Sequence, residues 1–527
     1  MFDLVIRGGK LVDGTGNPWF EGDVAIQGGR IAALGSLGKA EAARVIDAAG
    51  LVVAPGFIDL HSHSDAELLV NPRAESKIRQ GVTTEVIGNC GFSLAPLGPL
   101  GKERVQAELA GYGLSLTWET MAGYLETVEK QGVALNVAAL IGHGTVRRSV
   151  MGYERRRPTA AELEAMKALV DQAMSDGAFG LTTGLIYPPG SFSETEELIE
   201  LSRVVAKRGG FYASHLRDEG DRLLESVAEA LEIGRKGGLP VQLSHHKAVG
   251  QANWGKVKES LRMIDEARAS GLDVTADQYP YIATATGLSS IIPDWAQEGG
   301  AKKVLERLQH PETRRRLAAE VEAVQVKKGG WDKILIPSVK TEKNRLFIGL
   351  DLAEIARRRQ QAPVEAAFDL LIEEELEVGM IRFGMSEEDV RLVMSHPAVA
   401  IGSDGSALAP YGRLGQGKPH PRNYGTFPRV LGKYVREEGV LRLEEAVRKM
   451  TSLPARRLRL WDRGLLRPGF WADITIFDPV TVAERATFTD PHQYPAGIPY
   501  VLVNGQVVIE AGEHTGALPG QVLRHGR

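Results

Sequence analysis

The chain has 527 residues, of which 43% are hydrophobic and 25% charged, with a net charge of −4 and one cysteine. That length exceeds what one core usually supports, so a large domain with a smaller body is expected, and the composition excludes a disordered chain. The charge leaves no footprint for nucleic acid or an anionic membrane, a lone cysteine excludes an internal disulfide, and no apolar run reaches the ~20 residues of a spanning helix. With no basic leader in Met1–Gly9, the expectation is a cytoplasmic protein acting on small molecules, without nucleic-acid or membrane partners.

Residues 1–54 alternate apolar and polar positions between glycine-rich turns, as in Asp3–Gly9 and Asp23–Leu34, which predicts short strands and hairpins. The same texture returns only in Ala472–Asp478 and Tyr500–Val508. Neither end has enough strands for its own core. The spacing therefore predicts one small β-sandwich from residues 1–54 plus 465–527, with a catalytic domain over 55–464 between them.

Within that domain eight apolar strand candidates alternate with amphipathic helices, near Val53–Leu60, Thr83–Gly88, Asn136–Ile141, Gly180–Gly184, Phe211–His215, Val241–His245, Val274–Asp277 and Ala398–Ser403. Eight βα units favour a closed (β/α)8 barrel, an α/β fold that places chemistry at the C-terminal strand ends; an open doubly wound sheet has the same periodicity. The long interval after the seventh strand contains charged helical sequence and the apolar segment Lys333–Pro337, and predicts a lid-like subdomain at about 285–345. The Gly412–Pro419 loop lacks a P-loop's strand–loop–helix context and reads as a mobile active-site loop.

The first barrel strand ends in His61-Ser62-His63. On an extended backbone, residues two apart project to the same face, so both imidazoles can meet one ion. A strand-end histidine is more often structural, and an aspartate before glycine often makes a turn. The recurrence decides: His215, His245 and Asp404 end the fifth, sixth and eighth strand candidates. Cys90 follows the second, where a thiolate would supply a further metal ligand with negative charge.

The motifs Gly56–His63, Gly88-Asn89-Cys90-Gly91, Ser214–Gly220, Ser244-His245-His246-Lys247, Gly402-Ser403-Asp404-Gly405 and Pro419–Arg429 resemble the amidohydrolase superfamily, and within it the D-aminoacylase, or N-acyl-D-amino-acid deacylase, family. Many binuclear members use a lysine on the fourth strand; Gly180-Leu181-Thr182-Thr183-Gly184 has none. The resemblance implies one tightly held Zn²⁺ on Cys90, His215 and His245, and a second, weaker position at His61 and His63, with Asp404 also among the metal ligands. Asp404 is the candidate general base, taking a proton from zinc-activated water and passing it to the departing amine. Lys247 is the candidate group for the substrate's free carboxylate. By resemblance Tyr187, Tyr281 and Ser289 assist it, with Tyr279 and Ser290 as neighbouring alternatives, whereas His246 is expected to face away.

The expected activity is hydrolysis of N-acyl-D-amino acids to a carboxylate and a free D-amino acid, the D-preference coming from the resemblance alone. The alternatives are a cyclic-amide hydrolase of hydantoinase or dihydroorotase type, a dipeptidase acting on a C-terminal D-residue, and an inactive scaffold. Retention of the whole donor set argues against the last.

Overall fold

Eight parallel strands surround the core of the computed structural model, which describes residues 1–526. They are β1 (Phe57–Asp59), β2 (Val82–Ile87), β3 (Asn136–Ala139, resuming as Ile141–Gly142), β4 (Gly180–Gly184), β5 (Phe211–His215), β6 (Val241–Leu243), β7 (Val274–Gln278) and β8 (Val399–Ile401). Each pairs with its neighbour from β1 through β8. A parallel Ser62–Gly405 bridge closes the ring, supported by the Asp404 N–H donating to His61 O at 2.8 Å. The strands are buried on both faces, which accounts for continuous apolar runs such as Val399-Ala400-Ile401.

A polar floor ties the first and last strands together. Lys77 Nζ lies 2.7 Å from Asp59 Oδ2, 2.5 Å from Ser403 Oγ and 3.1 Å from Glu85 Oε1, and the Ser403 N–H donates to Asp59 Oδ1 at 2.8 Å. Two residues further along β1 and one along β8, His61 and Asp404 emerge above this floor.

The strands of the two termini form one continuous nine-stranded sheet. Its first strand, Phe2–Leu11, is shared: Phe2–Arg7 pairs with Ala42–Asp47, and Lys10–Leu11 with Val52–Val53. Val52–Pro55 then pairs with Ile474–Phe477, so Leu4, Ile26, Val53, Ile474 and Leu502 share one core. The C-terminal tail continues under the barrel, where the Val137 N–H donates to Gln521 O at 2.9 Å.

The inserted body after β7 is longer than the expected 285–345. Its antiparallel sheet joins Ala283–Gly287 to Gly379–Phe383, and Gly379–Phe383 to Ile334–Leu335, so the unit closes only at Phe383. Helices Leu352–Arg359 and Pro363–Glu373 intervene and complete a separate core containing Leu317, Trp331 and Phe368. The Lys418 N–H donates to Pro337 O at 2.8 Å, holding the Gly412–Pro419 loop against this body. No helix among the described residues is long and apolar enough to cross a membrane.

Candidate metal centre

His61, His63, Cys90, His215, His245 and Asp404 converge at the C-terminal mouth of the barrel. Cys90 is central: its Sγ lies 3.2 Å from His61 Nε2 and 3.4 Å from His245 Nε2. His215 Nδ1 approaches His245 Nε2 to 2.9 Å, while Asp404 Oδ1 lies 3.0 Å from His63 Nε2 and 3.4 Å from His61 Nε2.

Local backbone geometry aims these groups. Cys90, His245 and Asp404 have φ values of 51°, 35° and 50°, a left-handed region uncommon for residues with a Cβ. The cysteine loop is held by β4, where the Thr182 hydroxyl donates to Gly88 O at 2.7 Å and accepts the Gly91 N–H at 3.1 Å. A Cβ on Gly184 would fall 2.1 Å from Cys90 O, so this close approach requires glycine. In the strand position expected of a metal-bridging lysine, the chain thus carries a clamp for its thiol loop.

The donor chemistry fits zinc. Tetrahedral Zn²⁺, with bonds of about 2.0–2.3 Å, holds neighbouring ligand atoms roughly 3.3–3.7 Å apart, close to the separations around the Cys90 sulfur. Burial opposes the Cys90 thiolate, but His61, His245 and His215 overcome it and hold the thiol well below its ordinary value. Burial lowers His215, and its Nε2 has no hydrogen-bond partner among the described residues. Burial likewise opposes a proton on His63, yet Asp404 and Cys90 raise it to about 9. A metal entering this cluster would displace such protons.

Three further groups complete the site, and sequence reasoning gave them no role. Asp277 Oδ1 sits 3.0 Å from His61 Nδ1 and accepts the His245 N–H at 2.7 Å, orienting two imidazoles at once. Glu219 Oε1 lies 3.1 Å from His245 Nδ1 and 2.5 Å from Lys247 Nζ. Burial disfavours its charge, but Lys247, His215 and His245 pull its pKa well below the usual carboxylate range. Arg422 Nη1 donates to Asp404 Oδ2 at 2.6 Å; burial raises Asp404, and Arg422 with His245 more than reverses that, keeping it ionised. The available signals were a carboxylate four residues after His215, another at the end of β7, and the arginine of the Pro419–Arg429 motif.

The proposed substrate contacts divide. Lys247 is buried, donates to His245 O at 2.8 Å and pairs with Glu219. The Tyr187 ring lies 5.0 Å from that of His215, with its hydroxyl 2.9 Å from Thr286 Oγ1. Tyr281 does not join the cluster: its hydroxyl donates to Glu484 Oε2 at 2.8 Å, and Arg429 covers its ring at 4.7 Å. Tyr279 occupies that place, its ring 5.5 Å from Lys247 Nζ and 5.0 Å from Arg422 Cζ. Ser289 lies in the short turn Leu288–Ile291 that follows the inserted strand Ala283–Gly287. His246 turns away, with Nε2 2.7 Å from Ser260 Oγ, and burial followed by Lys247 lowers it to about 4.

A closed βα barrel whose strand ends gather histidines, a thiol and carboxylates defines a metal-dependent hydrolase of the amidohydrolase kind. Residues 44–509 match the amidohydrolase family, and the chain belongs to it. It is 41% identical over 522 residues to N-acyl-D-glutamate deacylase of Alcaligenes xylosoxydans xylosoxydans, covering 99% of this chain and 96% of the relative. It is 40% identical to D-aminoacylase of the same organism, at 99% and 97% coverage. A crystal structure of N-acyl-D-glutamate deacylase from Bordetella bronchiseptica, complexed with zinc and a phosphonate inhibitor, superposes with a TM-score of 0.85 at 38% identity, covering 99% of each chain.

Proposed function

We propose that this chain is a zinc-dependent hydrolase of N-acyl-D-amino acids, releasing a carboxylate and the free D-amino acid. The observation that carries the reading is the convergence of Cys90 with four imidazoles and Asp404, in a chain similar along nearly its whole length to deacylases of this type. Cys90, His215 and His245 would hold the principal zinc, and His61 with His63 a weaker second position. Zinc there would polarise the scissile carbonyl and lower the pKa of the attacking water.

The remaining steps belong to the protein. Asp404, ionised beside Arg422, accepts the water proton on Oδ1 and returns it to the amine nitrogen as the amide bond breaks. His63, 3.0 Å from that oxygen, keeps the carboxylate directed at the mouth. Lys247 and Arg422 flank the Tyr279 ring as two cations, and the substrate's free carboxylate is oriented between them. A lone thiolate ligand is best kept in a reducing compartment, which supports a cytoplasmic location.

The test is amine release by zinc-loaded protein from matched N-acetyl-D- and N-acetyl-L-amino acids with acidic, aromatic and aliphatic side chains, alongside hydantoin and dihydroorotate. Release from D-substrates is expected. Silence across the D-panel, or ring opening that outpaces linear deacylation, overturns the proposal.

A further inference from the structure

At the end of the barrel opposite the histidines, a cavity of about 580 Å³ opens beside the residues that lead into β7 and β8. A cavity of that size matches small-molecule sites. Five arginines line it: Arg268, Arg448, Arg456, Arg457 and Arg459. Only two carboxylates, Asp273 and Glu445, stand among the lining residues, leaving an excess of three positive charges in a chain whose net charge is −4.

Three of the arginines have partners. Arg457 donates to Thr275 Oγ1 at 2.9 Å and to Asp273 Oδ1 at 3.0 Å. Arg448 pairs with Glu445 at 2.7 Å and donates to Pro397 O at 2.8 Å, and Arg268 donates to Val274 O. The guanidiniums of Arg456 and Arg459 meet no carboxylate or hydrogen-bond acceptor among the described residues. A favourable helix C-terminus accounts for basic residues in the last turn of Ser452–Arg457, but not for Arg459 beyond it. Arg459 follows that helix's C-cap with a left-handed φ of 56°, the common way a helix stops, and the Leu460 N–H donates back to Ala455 O at 2.9 Å. Burial first, then Arg268 and Arg459, lowers Arg457 against the pull of its counterion Asp273. Trp461 completes the rim, with 75% of its surface exposed.

We propose that this cavity binds a nucleoside polyphosphate, its phosphate chain held by Arg456 and Arg459 and its base resting on Trp461. Guanidinium forks match phosphate oxygens two at a time, an exposed indole offers a stacking face, and the excess positive charge is complementary to a polyanion. A phosphate-only ligand would use the arginines and leave the tryptophan idle.

Isothermal titration of the full zinc-loaded chain with ATP at about 0.15 M salt tests this. One site is expected, weakened about tenfold or more in the Arg456→Gln/Arg459→Gln double variant. Both residues are exposed and unpartnered, so the fold should survive, as a thermal melt will check, and Arg459→Gln alone should give an intermediate loss. Trp461→Leu should weaken ATP and leave tripolyphosphate unchanged. Absence of ATP binding, equal affinity in the double variant, or tripolyphosphate binding as tightly as ATP overturns the proposal.

Discussion

Lys77→Met removes the cation of the barrel floor while leaving its two carboxylates in place. In the native chain Lys77, Asp59 and Glu85 have no side-chain exposure, and the ammonium lies 2.7 Å from one carboxylate and 3.1 Å from the other. Breaking a buried pair from one side costs about 3–5 kcal/mol, because the remaining charge has neither water nor a counterion. At ~2.1 cal/mol/K of unfolding entropy per residue, 527 residues give about 1.1 kcal/mol/K, so the melting temperature should fall by roughly 3–5 °C. The deficit should also depend on pH. Burial, then Asp59, raises the Glu85 pKa against the pull of Lys77, and removal of Lys77 raises it further. A carboxyl whose folded pKa exceeds its unfolded value loses stability as pH climbs from the unfolded pKa toward the folded one. The gap between variant and native chain should therefore be small near pH 5 and widen toward pH 8, measured by scanning calorimetry across that range. A loss below about 1 kcal/mol, or one independent of pH, would refute the view that Lys77 is the floor's charge balance.

Other substitutions separate holding the metal from doing the chemistry. Asp404→Asn should lower kcat about 10²–10⁴-fold while bound zinc, measured by atomic emission, stays near that of the native chain; parallel loss of zinc would make Asp404 chiefly a ligand. Cys90→Ala should abolish tight zinc binding, and a variant that retains full occupancy would contradict the central place given to the thiol. Asp277→Asn should weaken zinc about 10–100-fold through misoriented His61 and His245, with unchanged affinity counting against that role. Lys449 is buried under β8, and burial lowers its pKa to about 8 even with Glu445 nearby. Because the unfolded chain then binds the extra proton, Lys449 makes stability rise between about pH 8 and pH 10.5, by up to about 3 kcal/mol. Lys449→Met should remove that rise, so a native-minus-variant difference that stays flat with pH would exclude it.

The barrel was legible where each strand carries its own burial signal. Val399-Ala400-Ile401 is apolar and buried throughout and reads as an enclosed strand, while His215 closes β5 and His61 and His245 each lie two residues past the end of β1 and β6. Tyr281 was misplaced because no periodicity survives past β7: in Gln278-Tyr279-Pro280-Tyr281 the Tyr281 N–H turns back to Tyr279 O at 3.0 Å, swinging the second tyrosine toward Glu484 and Arg429. The inserted body ran past its expected end because Gly379–Phe383 is short and pairs with a strand nearly a hundred residues earlier. Glu219 and Asp277 escaped notice for a different reason. Most carboxylates are surface groups, and only the meeting of β5, β6 and β7 with β1 gives these two their imidazole partners.

The site's rigidity has a source outside its donor atoms. Cys90, His245 and Asp404 each leave a strand end through a left-handed residue, a conformation that costs about 1–3 kcal/mol and persists only when its surroundings enforce it. The enforcing contacts are specific: Thr182 Oγ1 takes the N–H after Cys90, Asp277 Oδ1 takes that of His245, and His61 O takes that of Asp404. Each strained turn is thus fixed by a neighbouring element, and two of the fixing groups, Asp277 and His61, belong to the cluster's own network. Strain relief and metal affinity are therefore coupled. Loosening one turn moves a donor and also slackens the hydrogen bond that orients the next, so the donor set should respond to mutation as a unit, with losses that do not add.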